Sequence, residues 1–183
     1  MRVLGIDLSL VKTGVGIIDY SDPQCLARVE LVESTGRRAD SLLDRDRRMH
    51  RITEEITTYA PGSTTLVAVE GPAISRAGGS SWDRLGLWWR VVHRMHQANF
   101  RVVVVNPSTL KKWATGRGNA DKSDVSVAMA RLWPEVESPS NDGWDGLALA
   151  TMAAQSLRWP VPSRAHHAES LARVDWLDHR EAS

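Results

Sequence analysis

Four acids in this sequence stand where their carboxylates can converge: Asp7, Glu70, Asp142 and Asp145. Asp7 ends the apolar run Arg2-Val3-Leu4-Gly5-Ile6, and Glu70 ends Leu66-Val67-Ala68-Val69. Asp142 and Asp145 lie three residues apart at the start of a helical stretch, so they share one helix face. If the two strands are parallel neighbours, their acids meet at one sheet edge, and the helix can deliver its pair to the same point. Four carboxylates held that close repel one another, and on this reading only divalent metal relieves them. Two Mg²⁺ about 3.5–4 Å apart would then support in-line hydrolysis of a phosphodiester.

Each acid alone has a plainer reading. Asp7 can start a turn. Asp142 and Asp145 fit an N-cap and a first-turn acid. Glu70, closing an apolar strand before Gly71-Pro72, has no evident local job. The combination is what is specific. His93 and His96, and the pair His166-His167, lack further ligands and are not taken as metal sites.

The elements that must position these acids follow from periodicity. Residues 2–7, 14–20 and 26–33 read as a meander of three strands, with turns at Lys12-Thr13-Gly14 and Ser21-Asp22-Pro23. Leu42, Met49, Ile52 and Ile56 recur at helical spacing over 40–59, and Pro61-Gly62 stops that helix. A β-rich run at 65–70 leads into a polar, glycine-rich loop at 71–81. Residues 82–98 form a helix apolar on two sides, and Val102–Val105 a fully buried strand. A short helix to Trp113, a loop at 115–119, a helix at 121–133, a linker and a helix from Asp142 to about 157 complete the body. The expectation is an α/β fold: a five-stranded mixed sheet, three strands antiparallel and the others parallel, with helices on both faces. Residues 1–159 are expected to form the domain, and 160–183 a peripheral helix and frayed end.

Composition excludes several classes. At 183 residues the chain is most simply one domain. One cysteine, Cys25, rules out a disulfide framework and a cysteine-based zinc site, and fits a reducing cytoplasm. No signal peptide is expected, and no apolar run approaches the ~20 residues of a membrane span. The net charge of +1 does not announce a nucleic-acid binder, but local clusters do. Arg37, Arg38, Arg45, Arg47, Arg48 and Arg51 crowd one segment, and Lys111, Lys112, Arg117 and Lys122 another. Most of the eight tryptophans are expected to fill core positions, since there is only one phenylalanine.

The motifs carry a resemblance. Gly5-Ile6-Asp7-Leu8-Ser9 with Thr13-Gly14 resembles the opening motif of the RuvC family of Holliday-junction resolvases, and Val69-Glu70 its second motif. Leu110-Lys111-Lys112 with Thr115 to Ser123 resembles its basic segment, and Asp142-Gly-Trp-Asp145-Gly-Leu-Ala its closing motif. The likeness runs from residue 2 to about 157. It implies an RNase H-like fold, a homodimer, Mg²⁺ or Mn²⁺, and symmetric nicking of four-way DNA junctions. It carries Asp7, Glu70, Asp142 and Asp145 over as metal ligands, with Lys122 as a further catalytic residue. Lys111, Lys112, Arg117, Lys122 and Arg76 become DNA contacts. Helix 82–98 falls at the family's dimer interface, through Leu85, Trp88, Trp89 and Val92. The chain departs from the pattern in two places. Gly71-Pro72-Ala73-Ile74 stands where an aromatic is common, with Trp82 as either its substitute or a core residue. Leu8-Ser9 replaces the common Pro-Gly. Divergence and compact length suggest a phage-borne or other mobile-element version.

Three rivals differ in class. The opening motif also resembles the phosphate loop of actin-like and sugar-kinase ATPases. Those need two such domains, and they do not explain Asp142 with Asp145. A non-catalytic DNA-binding module would not keep all four acids. A nuclease of the same chemistry acting on other branched DNA or on RNA/DNA hybrids is an alternative that the sequence does not exclude.

Overall fold

The computed structural model describes residues 1–72, 80–138 and 140–176. Strands β1 (Arg2–Asp7), β2 (Lys12–Ser21) and β3 (Gln24–Glu33) form the antiparallel meander. β4 (Thr64–Glu70) lies parallel to β1, and β5 (Val102–Val105) parallel to β4. The five-stranded sheet has the order β3-β2-β1-β4-β5. Helices α1 (Leu42–Thr58) and α2 (Ser80–Gln97) make the two crossovers. After β5 come α3 (Pro107–Thr115), α4 (Lys122–Leu132), α5 (Asn141–Ser156) and α6 (His167–Leu171).

Alternation along the strands splits the core in two. Val3, Ile18, Leu66, Ala68 and Val105 face one way, against Trp113 of α3, Met129 of α4 and Leu147 of α5. Leu4, Ile6, Ile17, Val67 and Val69 face the other, against Ile52 and Ile56 of α1 and Leu87, Val91 and Met95 of α2. Charge pairs reinforce the α1–α2 contact: Arg45 with Asp83, Arg90 with Asp46 and Arg94 with Glu54.

Helix α5 lies directly on β1 and β2. A Cβ at Gly5 would stand 2.2 Å from the Ala150 amide nitrogen, and one at Gly14 1.8 Å from the Asp142 carbonyl oxygen. Missing side chains at those two positions let the helix backbone touch the sheet. The helix is consequently buried from Gly143 through Ala154.

Several local expectations change. Lys12-Thr13-Gly14 belongs to β2, and the turn is Leu8–Val11. The Ser9 amide donates to Thr13 Oγ1 at 3.0 Å, and that hydroxyl donates back to the Ser9 carbonyl at 2.8 Å, closing the turn. β5 is not fully buried: it is the edge strand, and Val104 is 47% exposed. Ser140, not Asp142, caps α5, its hydroxyl accepting from the Gly143 amide at 3.2 Å.

Residues 160–176 fold back against α3. Gln155 accepts from the Trp113 indole at 3.1 Å and donates to the Pro162 carbonyl at 2.7 Å. The buried His167 ring lies 4.2 Å from that of Trp113. Lys112 on α3 pairs with Glu169 on α6 at 2.7 Å. Residues 177–183, where a frayed end was expected, lie outside the described residues.

Candidate active site

Asp7 and Glu70 close β1 and β4, whose register sets Ile6 beside Val69. One step further places the two acids abreast, on the face toward α5. A hydrogen bond joins their carboxyl groups. From above, α5 brings Asp145, 6% exposed, and Asp142 one turn earlier. Helix α4, capped by Asp121, starts with Lys122. The Lys122 Nζ stands 2.7 Å from Asp142 Oδ1, 3.7 Å from Asp145 Oδ2 and 3.8 Å from Asp7 Oδ2.

Burial dominates the electrostatics of this cluster. Desolvation, then the Asp7 charge and hydrogen bond, push Glu70 up to about 9. Asp145 rises to about 7, through burial and then the charge of Asp7. Asp7 is raised as well, by burial, against the pull of Lys122. Burial opposes the charge on Lys122, but its Asp142 hydrogen bond and the surrounding carboxylates hold it above its ordinary value. The expectation that divalent metal alone relieves this repulsion is therefore corrected. The Lys122 ammonium, set among three of these carboxylates, relieves part of it within the chain.

Among the described residues, no group of three or more His, Cys, Asp or Glu side chains converges closely enough to hold an ion as the side chains stand. The donor chemistry nevertheless fits a hard divalent cation. The set is all oxygen, and its buried members are held near protonation, the condition a cation reverses.

A cleft of about 380 Å³ opens beside the acids. It is lined by Asp7, Glu70, Asp142 and Lys122 together with Leu8, Ser9 and Ser81, Arg84, Leu85 and Trp88 of α2. Trp88 of α2 donates its indole N–H to the Glu70 carbonyl at 2.9 Å, so the helix is fastened to the strand end carrying the acid. Nothing in the sequence marked Trp88 for that job, because its apolar surroundings are those of any core tryptophan.

The other expected site residues are more scattered. Lys111 lies near enough to Asp145 for its charge to act there. Lys112 turns to Glu169, and Arg117 pairs with Asp124 at 3.1 Å. Arg76 lies outside the described residues. Of the four residues expected at a dimer interface, Trp88 and Val92 are buried in the chain's own core, while Leu85 and Trp89 face outward. Trp82 is 81% exposed, which overturns the core reading for it.

No family model matches the chain. A Leifsonia xyli protein named crossover junction endodeoxyribonuclease RuvC is 30% identical over 156 residues, covering 82% of this chain and 72% of that one. A protein of the same name from Rhodopseudomonas palustris strain TIE-1 is 30% identical over 155 residues, covering 82% and 84%. The chain belongs to the RuvC family. Its fold matches Thermus thermophilus RuvC with a TM-score of 0.62 at 24% identity, over 89% of this chain and 99% of that one. The same RuvC in complex with Holliday junction substrate gives 0.65 at 22% identity, over 89% and 98%. A Fowlpox virus resolvase bound to Holliday junction DNA gives 0.55 at 16% identity, over 86% and 99%. The mixed sheet with helices on both faces is thus the fold of RuvC. Among the described residues of this RuvC-family chain, no helix is long and apolar enough to cross a membrane.

Proposed function

We propose that this chain is a crossover junction endodeoxyribonuclease, resolving four-way DNA junctions by paired nicks in strands of like polarity. The observation that carries the reading is the meeting of Asp7, Glu70, Asp142 and Asp145 with Lys122 beside one cleft, in a chain of this family. The four carboxylates would hold two Mg²⁺ or Mn²⁺ ions, which supply an activated water and neutralise charge at the phosphate in such chemistry.

The chain's own groups do the rest. Glu70 and Asp145 would serve as ligands in their ionised forms. Lys122, whose ammonium lies 2.7 Å from Asp142 Oδ1, would offset charge that develops on the phosphate in the transition state. Lys111 adds a second positive charge near Asp145. Leu8 and Trp88 give the cleft an apolar wall that limits water around the phosphate. Lys112 and Arg117, already paired with carboxylates, would contact DNA only by exchanging those partners.

Two cuts of like polarity call for two sites related by a two-fold axis. Trp82, Leu85 and Trp89 recur at i, i+3 and i+7 on α2 and are all exposed. That apolar stripe fits a second copy of the chain.

A cleavage assay on a four-way junction, a fork, a flap, linear duplex and RNA/DNA hybrid tests the reading. Paired, Mg²⁺-dependent nicks confined to the junction are expected. Equal cutting of forks, flaps or hybrids would make the chain a broader nuclease, and no cutting at all would sink the proposal.

A further inference from the structure

The arginine-rich segment between β3 and α1 takes no part in the cleft around Asp7. It folds over a separate groove of about 570 Å³, lined by Arg37, Arg38, Arg45 and Arg48 with Asp40 and Asp83. Four arginines against two aspartates leave this lining net positive.

The floor of the groove is fixed. Arg48 donates from Nε to Ser34 Oγ at 2.8 Å and from Nη2 to the Leu10 carbonyl. A Cβ at Gly36 would stand 1.9 Å from Arg48 Nη1, so the bare glycine lets the loop close over that guanidinium. Asp83 grips Arg45 with both carboxylate oxygens, and Asp40 accepts from the Arg37 backbone amide at 2.8 Å. Both carboxylates are therefore engaged. The Arg37 and Arg38 side chains are exposed, and no ion pair of either is found among the described residues.

Groove and cleft are neighbours. Leu8 and Ser9 line the cleft, and Leu10 lines the groove. In the same way Ser81 and Arg84 of α2 border the cleft, and Asp83 the groove. One tight turn and one turn of helix separate them.

We propose that this groove holds a phosphate of the DNA backbone away from the point of cutting, with Arg37 and Arg38 as its contacts. The proposal rests on the junction-cutting reading above. A guanidinium matches two phosphate oxygens at once, and Arg37 and Arg38 are the two exposed arginines of the lining. Such a contact positions a strand and reads no sequence.

The test is binding of the full chain to a four-way junction and to a linear duplex across a salt series. R37A/R38A is compared with R47A/R51A, which removes the same charge from exposed positions of α1 outside the groove. R37A/R38A should weaken binding to both DNAs by roughly tenfold or more, the scale of lost charge-assisted hydrogen bonds. Its plot of log affinity against log salt should be shallower by about one to two. R47A/R51A should change both far less. Unchanged affinity and slope, or an equal loss in R47A/R51A, overturns the groove. A wild type that neither prefers nor cuts the junction overturns the junction reading instead, while the comparison on linear duplex still decides the groove.

Discussion

The Lys122 ammonium donates to Asp142 Oδ1 at 2.7 Å and sits within 3.8 Å of two further carboxylates. It occupies the place of a cation among acids. Lys122→Ala should therefore lower the single-turnover cutting rate roughly 10²-fold, the scale of one lost charge-stabilising donor. Junction affinity should change little. A loss confined to the salt dependence of binding would reduce Lys122 to a general phosphate contact.

Asp7→Asn, Glu70→Gln and Asp145→Asn should each abolish cutting and leave junction binding intact. Asp142→Asn should do the same without loss of the helix, because Ser140 supplies the cap. Wild-type cutting by Glu70→Gln would remove Glu70 from the site.

Glu70 also sets a pH dependence. Its folded pKa of about 9 lies above the ordinary 4.5, so the folded chain binds the proton more tightly than the unfolded one. The stability that Glu70 contributes is then full below 4.5 and is lost as pH rises to about 9. In chelator, melting temperature should fall across that window, and Glu70→Gln should flatten the fall. Mg²⁺ should raise the alkaline end most. A wild-type melting temperature independent of pH would contradict the buried, protonated Glu70.

The two adjacent tryptophans should behave oppositely. Trp89 is 63% exposed, whereas Trp88 is 8% exposed and bonded to the Glu70 carbonyl. Trp89→Arg should give a folded monomer that nicks without coordination between strands. Trp88→Arg should unfold the chain or displace the strand end carrying Glu70. Sedimentation and a thermal melt separate the outcomes, and a monomeric wild type on the junction would remove the two-fold arrangement.

Gly14→Ala tests how α5 is seated. Its Cβ would press on the Asp142 carbonyl, which is backbone and cannot swing aside. A destabilisation of about 1–3 kcal/mol is expected, with a disproportionate loss of cutting because Asp142 moves with the helix. An unaltered melt would show that α5 rests less closely on the sheet.

Much of this arrangement was legible in the sequence. Apolar runs ending in acids located the ends of β1 and β4, and the crossover pattern made those strands parallel neighbours. The misplaced parts depend on contacts between distant segments. The turn after Asp7 is closed by Ser9 with Thr13, so Lys12-Thr13-Gly14, turn-like in composition, extends β2. Four valines look alike in a central and an edge strand, and only topology exposes Val104. Helical spacing alone does not tell whether Trp82, Trp88 or Trp89 points inward. Lys122 as counter-charge to Asp142 depends on how α4 docks against α5, which no local pattern encodes.

The seating of α5 on Gly5 and Gly14 also orders events during synthesis. Asp7 is made more than a hundred residues before Asp142 and Asp145, and long-range contacts of this kind form late. A nascent chain therefore carries an incomplete acid cluster until α5 has been made and docked. Until then the site lacks two of its four carboxylates.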